Sequence, residues 1–258
     1  MSDKVNKNML FYSFDDYQKG METINRIKKY FLTDYALVGG FANRFLFPDY
    51  FAGLPVTRLN DLDFCILPKG DEPTLRSNIT EEFYIVYINP SNGSYYFMLI
   101  DKENFIKVDI FINPRPTEKG MMKVDGLTVP VLPEEEIFLK IARDVYGHLS
   151  QDRPLESKHV RFYQYLRNNI NLTKIDLVWL EEKKVIYKIN QVDFIGWVDY
   201  LKVVDDLVNQ KSDLLFVKQS QLPKYPVESA IYHPFGFSMV DQAAFDQIFT
   251  ERQRRFFY

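Results

Sequence analysis

The sequence predicts an α/β (α+β) fold in which a mixed sheet with helices is followed by a helical C-terminal domain. Apolar and polar residues alternate along 61–67, which is the pattern of a strand with one buried face. The apolar run 35–38, the Gly pair after it and the helically spaced apolar residues that follow indicate a strand, a tight turn and a helix. Because helical spacing dominates the second half, we expect one domain at 1–132 and another at 133–258.

The other elements of the first domain follow from local patterns. Asp15 and Asp16 are candidate caps for a helix that extends to about Phe31. Segments rich in aromatic and β-branched residues, separated by turn residues, indicate further strands. In chain order, these strands are predicted at 83–88, 95–100, 105–112 and 127–131. We expect the helices to pack against one side of the sheet, and we interpret 113–126 as a break followed by a polar connector.

The second domain is expected to be helical. Pro133 followed by three glutamates is typical of a helix start, since Pro is tolerated in the first turn and acids favour the positive end of the helix dipole. Helices are predicted at about 134–148, 155–168, 174–182, 193–208 and 241–257. The basic and aromatic tail 251–258 is compatible with contact to RNA phosphates, although a helix end that favours basic residues explains it more simply.

Composition describes an ordinary globular protein and excludes several classes. The chain of 258 residues has a formal net charge of -3 and a pI near 5.7, so no overall positive field attracts nucleic acid. A local basic patch would still suffice for RNA. Cys65 is the single cysteine, which fits a reducing compartment. The N-terminus lacks a signal-peptide pattern, and no apolar run approaches the ~18 residues of a membrane span. We therefore expect a soluble, cytoplasmic protein.

Two predicted strands carry acidic residues that are candidates for catalysis. Asp61 and Asp63 share one face of their strand, and Asp109 interrupts an apolar run in another. If these strands are neighbours, three carboxylates converge, and like charges this close need a cation between them. Magnesium suits oxygen ligands, and two ions about 3.5–4 Å apart would stabilise a phosphoryl displacement.

The Gly pair is a candidate phosphate site. Gly39 and Gly40 permit positive φ and close approach of a phosphate, and the helix N-terminus after them favours anions. Each signal also has a purely structural explanation, because Gly pairs are common in turns and a strand Asp can accept backbone hydrogen bonds. The sequence contains no P-loop and no Gly-x-Ser-x-Gly elbow, and its three histidines lack the spacing of zinc ligands.

The order of these signals is more informative than any one of them. A strand, a Gly pair, a helix, the Asp-Leu-Asp-Phe strand at 61–64 and a later strand with Asp109 follow one another. This order resembles the nucleotidyltransferase superfamily of DNA polymerase beta, and more closely its AbiEii/MenT-like branch of bacterial toxin-type nucleotidyltransferases, over about residues 30–170. The resemblance implies that the first domain is catalytic. It would use Mg²⁺ or Mn²⁺ to transfer a nucleoside monophosphate from a nucleoside triphosphate to an acceptor hydroxyl.

The resemblance also implies roles for individual residues. Asp61 and Asp63 match the paired metal ligands, and Asp109 matches a third acid that binds metal and helps to activate the acceptor hydroxyl. The nucleotide-binding residues that it implies are Gly39, Gly40, Arg58, Lys140 and Lys158. For Arg58 we favour pairing with Asp61 or Asp63 over contact with substrate. For the two lysines, a solvated cationic helix face is an equal alternative.

Two departures from the family pattern keep other functions open. Phe41 stands where a Ser or Thr commonly follows the Gly pair, and His159 stands where the helical part carries an Asp. Both favour the alternative of a catalytically inactive nucleotide-binding or interaction protein. The acceptor is open as well. AbiEii-like proteins imply a toxin that modifies transfer RNA (tRNA) and pairs with an antitoxin protein, whereas aminoglycoside-type enzymes of the same superfamily modify small molecules.

Overall fold

The structure, a computed structural model, describes residues 10–55, 59, 61–67, 74–91, 94–112, 120–170, 197–217 and 240–256. It divides into two compact units, one formed by Met1–Leu132 with Lys224–Tyr258 and the other by Pro133–Pro223. This division differs from the predicted second domain at 133–258, because the described helix near the C-terminus groups with the first unit.

Helices and strands are mixed along the described parts of the chain, with the elements from α4 to β9 in the second unit. In chain order they are α1 (Phe14–Ile27), β1 (Asp34–Val38), α2 (Gly39–Leu46), α3 (Pro48–Ala52), β2 (Asp61–Leu67), β3 (Phe83–Ser91), β4 (Ser94–Asp101), β5 (Lys107–Ile112), β6 (Gly120–Val124), β7 (Leu127–Val131), α4 (Glu134–Leu149), β8 (Leu155–Glu156), α5 (Ser157–Asn169), α6 (Trp197–Gln210), β9 (Leu215–Phe216) and α7 (Gln242–Phe256). Short 3₁₀ turns occur at Lys28–Tyr30, Ser77–Glu81 and Ser212–Leu214.

The first unit is built on a seven-stranded sheet with the order β3-β4-β5-β2-β1-β7-β6. The pairs β2 with β5 and β1 with β7 are parallel, and the other neighbours are antiparallel. The predicted mixed α/β class is therefore confirmed. The parallel pairing of β2 and β5 is the feature that positions the acidic residues, because it places their strands side by side.

The two faces of the sheet are covered by different helices. On one face, residues such as Leu37, Phe64 and Ile110 form the main core together with residues of α1 and α2. On the other face, Met98 of β4 belongs to an apolar cluster that includes Phe249 of α7. The helices thus lie on both faces, whereas the sequence predicts them on one side. The physical reason is that β4 presents apolar side chains in both directions, so each face needs a cover.

The β6 strand is missing from the sequence prediction, which assigns it to a polar connector. It pairs antiparallel with β7 across a two-residue turn, Asp125-Gly126, whose residues have φ values of 46° and 78°. An Asp-Gly pair with positive φ at both positions is the preferred connection of a hairpin, because its twist matches that of the strands. This dipeptide is the sequence signal that predicts the strand before it.

The N-terminus of α1 is capped by Ser13 and not by the predicted Asp15 or Asp16. The Oγ of Ser13 accepts a hydrogen bond from the Asp16 backbone N–H at 3.1 Å. Asp16 itself is buried, and its carboxylate accepts a longer hydrogen bond of 3.4 Å from the backbone of Leu59. The helix ends at Ile27 rather than at Phe31, and a 3₁₀ turn follows.

A buried carboxylate ties α1 to the end of β4. Asp101 is fully buried, and its Oδ2 accepts hydrogen bonds from Thr23 Oγ1 at 2.7 Å and from Arg26 Nε and Nη2 at 3.0 and 2.8 Å. Its other oxygen accepts the backbone N–H groups of Glu103 and Asn104. The charge is thus compensated on every side, which is the condition under which a buried ion is tolerated.

We expect Asp101→Ala to lower the free energy of unfolding by about 3–5 kcal/mol, because it leaves the guanidinium of Arg26 without its buried partner. Urea denaturation followed by circular dichroism measures this change. Glu103→Ala is the matched control, since it removes the other carboxylate paired with Arg26 from a side chain that is 71% exposed, and should cost less than about 1 kcal/mol. Equal losses in the two variants would contradict this account of Asp101.

The second unit is a small helical assembly. The rings of Phe138 on α4 and Tyr163 on α5 stack with centroids 5.9 Å apart, and the Tyr163 hydroxyl donates to Asp205 of α6 at 2.7 Å. Strands β8 and β9 add a short parallel pair. The helix predicted at 174–182 lies outside the described residues. Across the described segments of both units, none of the helices combines the length and the apolar character needed to cross a membrane.

Candidate functional site

The parallel register of β2 and β5 brings the predicted acids to one face of the sheet. Asp63 and Asp109 are direct Cα partners across the two strands. Asp61 lies two residues earlier on β2, so its side chain leaves the same face. Asp61 and Asp63 are partly exposed, whereas Asp109 is buried at 6% of its full exposure. We call this surface, formed by Asp61, Asp63, Lys107 and Asp109, the acidic face.

The Gly pair lies directly beside the acidic face. Val38, the last residue of β1, is the register partner of Asp63, and Gly39 follows it with φ of 69°. A Cβ atom at Gly39 would overlap Oδ2 of Asp63 and approach its Cγ to 2.7 Å, so only glycine allows the backbone and this carboxylate to lie so close. Gly40 is exposed, and a Cβ there would meet nothing within 4 Å.

The start of α2 adds polar backbone to the same place. Its N-cap is Val38, which provides no side-chain hydrogen bond to the first turn. The first N–H groups of a helix have no partner within the helix, and they carry the positive end of its dipole. Since the helix begins at Gly39, this positive end lies next to the carboxylate of Asp63. The exposed side of the turn at Gly40 is the part that a phosphate can approach.

A lysine lies among the acids. Lys107 Nζ is 2.5 Å from Oδ2 of Asp109, and the two side chains are only 10% and 9% exposed. Lys107 is also the register partner of Asp61. Among the described residues there is no group of three or more His, Cys, Asp or Glu side chains that could hold a metal ion. An ammonium group thus lies against the carboxylate of Asp109, and the metal-binding role expected of Asp61, Asp63 and Asp109 stays a prediction.

Arg44 is a second cation near the acidic face, and the sequence analysis assigns it no role in the site. Burial lowers the pKa of its guanidinium, while the charges of Asp61 and Asp16 oppose that shift. Its Nη1 donates to the Leu10 carbonyl at 2.9 Å, and its guanidinium lies 5.1 Å from the centroid of the Phe11 ring. The signal that predicts this placement is helical spacing, since Arg44 follows Gly40 by four residues and so shares its side of α2.

Phe41 does not face the acidic residues. It is 1% exposed, and its ring packs at 5.2 Å from Phe11 and 5.4 Å from Phe45 in the main core. Gly20 on α1 makes room for it, because a Cβ there would come within 2.7 Å of the Phe41 ring. Phe41, in place of a Ser or Thr, therefore contributes to the hydrophobic core under α2. Gly40 is the residue of this turn that is exposed to solvent.

The other predicted nucleotide-binding residues belong to other parts of the chain. Arg58 lies outside the described residues. Lys140 is on α4 and Lys158 is on α5, so both belong to the second unit. The ammonium of Lys158 pairs with Glu156 at 3.0 Å and its side chain is 59% exposed, which matches the alternative of a solvated helix face.

His159, the second departure from the family pattern, occupies a partly buried position on α5. Burial lowers the pKa of its imidazole below 6.5, with Lys158 and His148 acting in the same direction and Glu156 and Asp144 opposing them. The pKa of His159 is therefore lower in the folded chain than in the unfolded chain, so folding favours the neutral imidazole. Below about pH 6.5 the unfolded state takes up the proton first, so stability is lost as the pH falls.

We expect the melting temperature to fall between about pH 7.5 and pH 5.5, and His159→Gln to reduce that fall, because glutamine has no proton to gain. Differential scanning fluorimetry of the two proteins across this range measures the effect. If wild type and His159→Gln lose stability in parallel, the imidazole does not contribute to the acid sensitivity.

The last helix borders the acidic face, whereas the sequence predicts it as part of the second domain. Met98 on β4 is the register partner of Asp109, and it lies in one apolar cluster with Phe245, Ile248 and Phe249 of α7. The buried stripe of α7 thus packs against β3 and β4, on the side of β5 that is away from β2. The acidic face therefore carries two partly exposed carboxylates, Asp61 and Asp63, beside a covered apolar region.

Comparison with known proteins gives similarity at the level of fold. The sequence matches no protein-family model, and no curated protein sequence is significantly similar to it. Among solved structures, a candidate nucleotidyltransferase from Thermotoga maritima is 18% identical with a TM-score of 0.37, and the match covers 54% of this chain and 92% of that one. An antigenic nucleotidyltransferase-like protein from Paracoccidioides brasiliensis is 15% identical with a TM-score of 0.42, covering 83% and 91%. The JHP933 protein from Helicobacter pylori is 14% identical with a TM-score of 0.38, covering 78% and 97%. These similarities are partial and concern the fold alone.

Proposed function

We propose that this protein is a nucleotidyltransferase, which transfers a nucleoside monophosphate from a nucleoside triphosphate to an acceptor hydroxyl. The observation that carries the proposal is the contact between the Gly39 backbone and the carboxylate of Asp63, which is in turn the register partner of Asp109. A helix start that favours phosphate, next to carboxylates on an accessible strand, is the arrangement that phosphoryl transfer needs.

The acidic face fits one divalent cation better than two. Asp61 and Asp63 are partly exposed on one side of β2, and Mg²⁺ is commonly bound by one or two carboxylates together with substrate phosphates. Asp61 and Asp63 would hold the Mg²⁺ or Mn²⁺ ion. When bound, such an ion polarises a phosphoryl oxygen and balances the charge of the triphosphate. The set of three carboxylates for two ions does not fit, because Lys107 is bonded to Asp109.

The chain's own groups supply the remaining steps. The first amides of α2, at Gly39 and Gly40, seat the phosphates, because they are donors without partners in the helix. Arg44 holds positive charge on the side of Asp61. Asp109 takes the proton of the acceptor hydroxyl when that oxygen attacks the α-phosphorus. The bond from the α-phosphorus to the bridging oxygen breaks, and pyrophosphate leaves.

For the acceptor we propose a tRNA, with the protein acting as a toxin whose partner is an antitoxin protein. Support comes only from the resemblance to AbiEii/MenT-like sequences described above. We further propose that Arg58 pairs with Asp61 or Asp63 and orients that carboxylate. With a net charge of -3, recognition of RNA would rest on local basic groups rather than on an overall field.

A second candidate function is nucleotide binding without turnover. The ion pair between Lys107 and Asp109 favours it, because a carboxylate held by a buried ammonium is a weaker base and a poorer metal ligand. This candidate predicts that nucleotides and Mg²⁺ raise the melting temperature by mass action while nothing is transferred.

The two functions separate in one experiment. The purified chain is incubated with nucleoside triphosphates labelled at the α-phosphate, Mg²⁺ and either total RNA or an aminoglycoside, and Asp61→Asn serves as the inactive control. If wild type transfers label to RNA and Asp61→Asn does not, the result supports the proposed function with an RNA acceptor. If the label instead appears in the aminoglycoside, the acceptor is a small molecule and not RNA. Nucleotide-dependent thermal stabilisation without any transfer overturns the enzyme proposal and supports the binding protein.

A further inference from the structure

The second unit contains a polar cleft that takes no part in the proposed function. Helices α5 and α6 both pack against α4, and a cleft of about 500 Å³ lies between them. We call it the α5–α6 cleft, and it is lined by Gln164, Arg167 and Asn168 of α5 and by Asp205, Val208 and Asn209 of α6. Pockets that hold small molecules have volumes of about 300–1,000 Å³, so this cleft is large enough for one ligand of nucleotide size.

An ion pair joins the two walls of the α5–α6 cleft. Arg167 Nε donates to Oδ2 of Asp205 at 3.3 Å, and the hydroxyl of Tyr163, beneath the cleft, donates to Oδ1 at 2.7 Å. Burial and the hydrogen bond to Asp205 raise the pKa of Tyr163, so its hydroxyl keeps the proton that it donates. Each oxygen of the carboxylate thus has a donor, and Asp205 acts as an anchor that orients the guanidinium.

The outer edge of the Arg167 guanidinium is available to a ligand. Its Nε donates to Asp205, and among the described residues neither Nη1 nor Nη2 has a hydrogen-bond partner. The side chain is 29% exposed. The paired N–H groups of a guanidinium match two oxygens of a phosphate, which makes arginine well suited to bidentate phosphate binding. Since Asp205 offsets part of the positive charge, binding here depends on this geometry more than on net charge.

Three amide side chains form the neutral part of the cleft. Gln164 and Asn168 are four residues apart on α5, and Asn209 follows Asp205 by four residues on α6, so each wall presents one side of its helix. All three amides are exposed. An amide carries a donor and an acceptor side by side, which complements the edge of a nucleobase. The cleft therefore combines a phosphate-binding group with groups that can recognise a base.

We propose that the α5–α6 cleft binds a nucleoside monophosphate, with its phosphate on Arg167 and its base on the amides. The same chemical group occurs as a free nucleotide and as one unit of an RNA strand, and the test distinguishes these two sources. This inference goes beyond the proposed function, because the site lies within the second unit and requires neither the acidic face nor a divalent ion.

Binding to the full chain is measured by isothermal titration calorimetry in buffer that contains EDTA, which removes any metal-dependent binding at the acidic face. We expect adenosine 5′-monophosphate to bind at one site. Adenosine, which lacks the phosphate, and ribose 5-phosphate, which lacks the base, should each bind at least about tenfold more weakly. Tighter binding of a tetra-adenylate than of the monophosphate would identify an RNA strand as the source, and weaker binding would identify a free nucleotide. Ribose 5-phosphate that binds as tightly as the monophosphate would overturn the assignment of a nucleoside.

Arg167→Gln and Arg161→Gln form a matched pair that locates the site. Both changes remove one positive charge from α5, but Arg161 is exposed and lies outside the lining of the cleft. Arg167→Gln should weaken binding of adenosine 5′-monophosphate by about tenfold or more, because a hydrogen-bonded charge is lost. Arg161→Gln should stay within about twofold of wild type. Unchanged affinity in Arg167→Gln, or equal losses in the two variants, would overturn the proposed site.

A second pair keeps the test decisive if Arg167→Gln proves unstable. Asn168 lines the cleft, whereas the exposed Asn169 beside it donates to the Tyr165 carbonyl at 2.7 Å. Asn168→Ala should weaken binding by about three- to tenfold, and Asn169→Ala should not change it. Equal affinities in these two variants would contradict base recognition by the amides. If the wild-type chain does not bind the monophosphate at all, the inference fails, while metal-dependent transfer at the acidic face stays a separate question.

Discussion

Asp63→Asn should reduce transfer of labelled nucleotide by about 10²–10³-fold or more. Asp63 is the carboxylate that contacts the Gly39 backbone and is aligned with Asp109, so it lies at the centre of the acidic face. A cation held by this carboxylate contributes several kcal/mol of charge stabilisation in the transition state, and each 1.4 kcal/mol is about tenfold in rate. Asparagine keeps the size and most hydrogen bonding of the side chain, so the loss would report on charge. The rate is measured as α-label incorporated per minute under saturating Mg²⁺.

Asp34→Asn is the matched control for this variant. Asp34 is an exposed acid on β1, the strand next to β2, and its register partner is Leu67 at the opposite end of that strand. The change in net charge is the same in both variants, so overall electrostatics cannot explain a difference. We expect Asp34→Asn to retain the wild-type rate within about twofold. Comparable losses in both variants, or full activity of Asp63→Asn, would show that the acidic face is not the reaction site.

Gly39→Ala should remove activity and also lower stability. The alanine Cβ would overlap Oδ2 of Asp63, and the residue would have to hold φ of 69°, which costs an L-residue about 1–2 kcal/mol. Relief of the overlap requires the carboxylate or the start of α2 to move. Because the proposed chemistry depends on both, we expect a loss of transfer similar to that of Asp63→Asn. The melting temperature and the rate are measured on the same preparation.

Gly40→Ala provides an internal comparison for Gly39→Ala. A Cβ at Gly40 meets nothing within 4 Å, so the fold should accept it without loss of stability. Gly40→Ala should therefore keep the wild-type melting temperature, and any change in its rate reports on access of phosphate to the turn. If the two alanine variants are equally stable and equally active, the close approach of Gly39 to Asp63 has no functional consequence.

The local patterns of the sequence predict the strands of the acidic face well. Strict alternation along β2 shows which side chains share a face, and the Gly pair marks the change from β1 to α2. The pairing of β2 with β5 cannot be predicted in the same way. These strands are about 40 residues apart, so their pairing depends on the topology of the whole sheet and not on local sequence spacing. The sequence predicts converging carboxylates only if β2 and β5 are neighbours. The register of Asp63 with Asp109 shows that the two strands are paired.

Three features of the structure are absent from the sequence-based predictions for identifiable physical reasons. Lys107 looks like an ordinary strand lysine, because nothing in the sequence shows that its neighbours on β2 are acids. Arg44 follows Gly40 by four residues, which places it near the site, but an Arg in the last turn of a surface helix has the same sequence pattern. The helix α7 follows a long segment with no recognisable pattern, so its return to the first unit depends on tertiary packing against Met98 and its neighbours.

The position of the label in the product tests the central claim most directly. Wild-type protein is supplied with Mg²⁺, total RNA and a nucleoside triphosphate labelled either at the α-phosphorus or at the γ-phosphorus, with Asp63→Asn in parallel. The account predicts that α-label enters the RNA, that γ-label appears only in pyrophosphate, and that Asp63→Asn transfers neither. Transfer of γ-label to the acceptor, or α-label transfer that survives in Asp63→Asn, would contradict it.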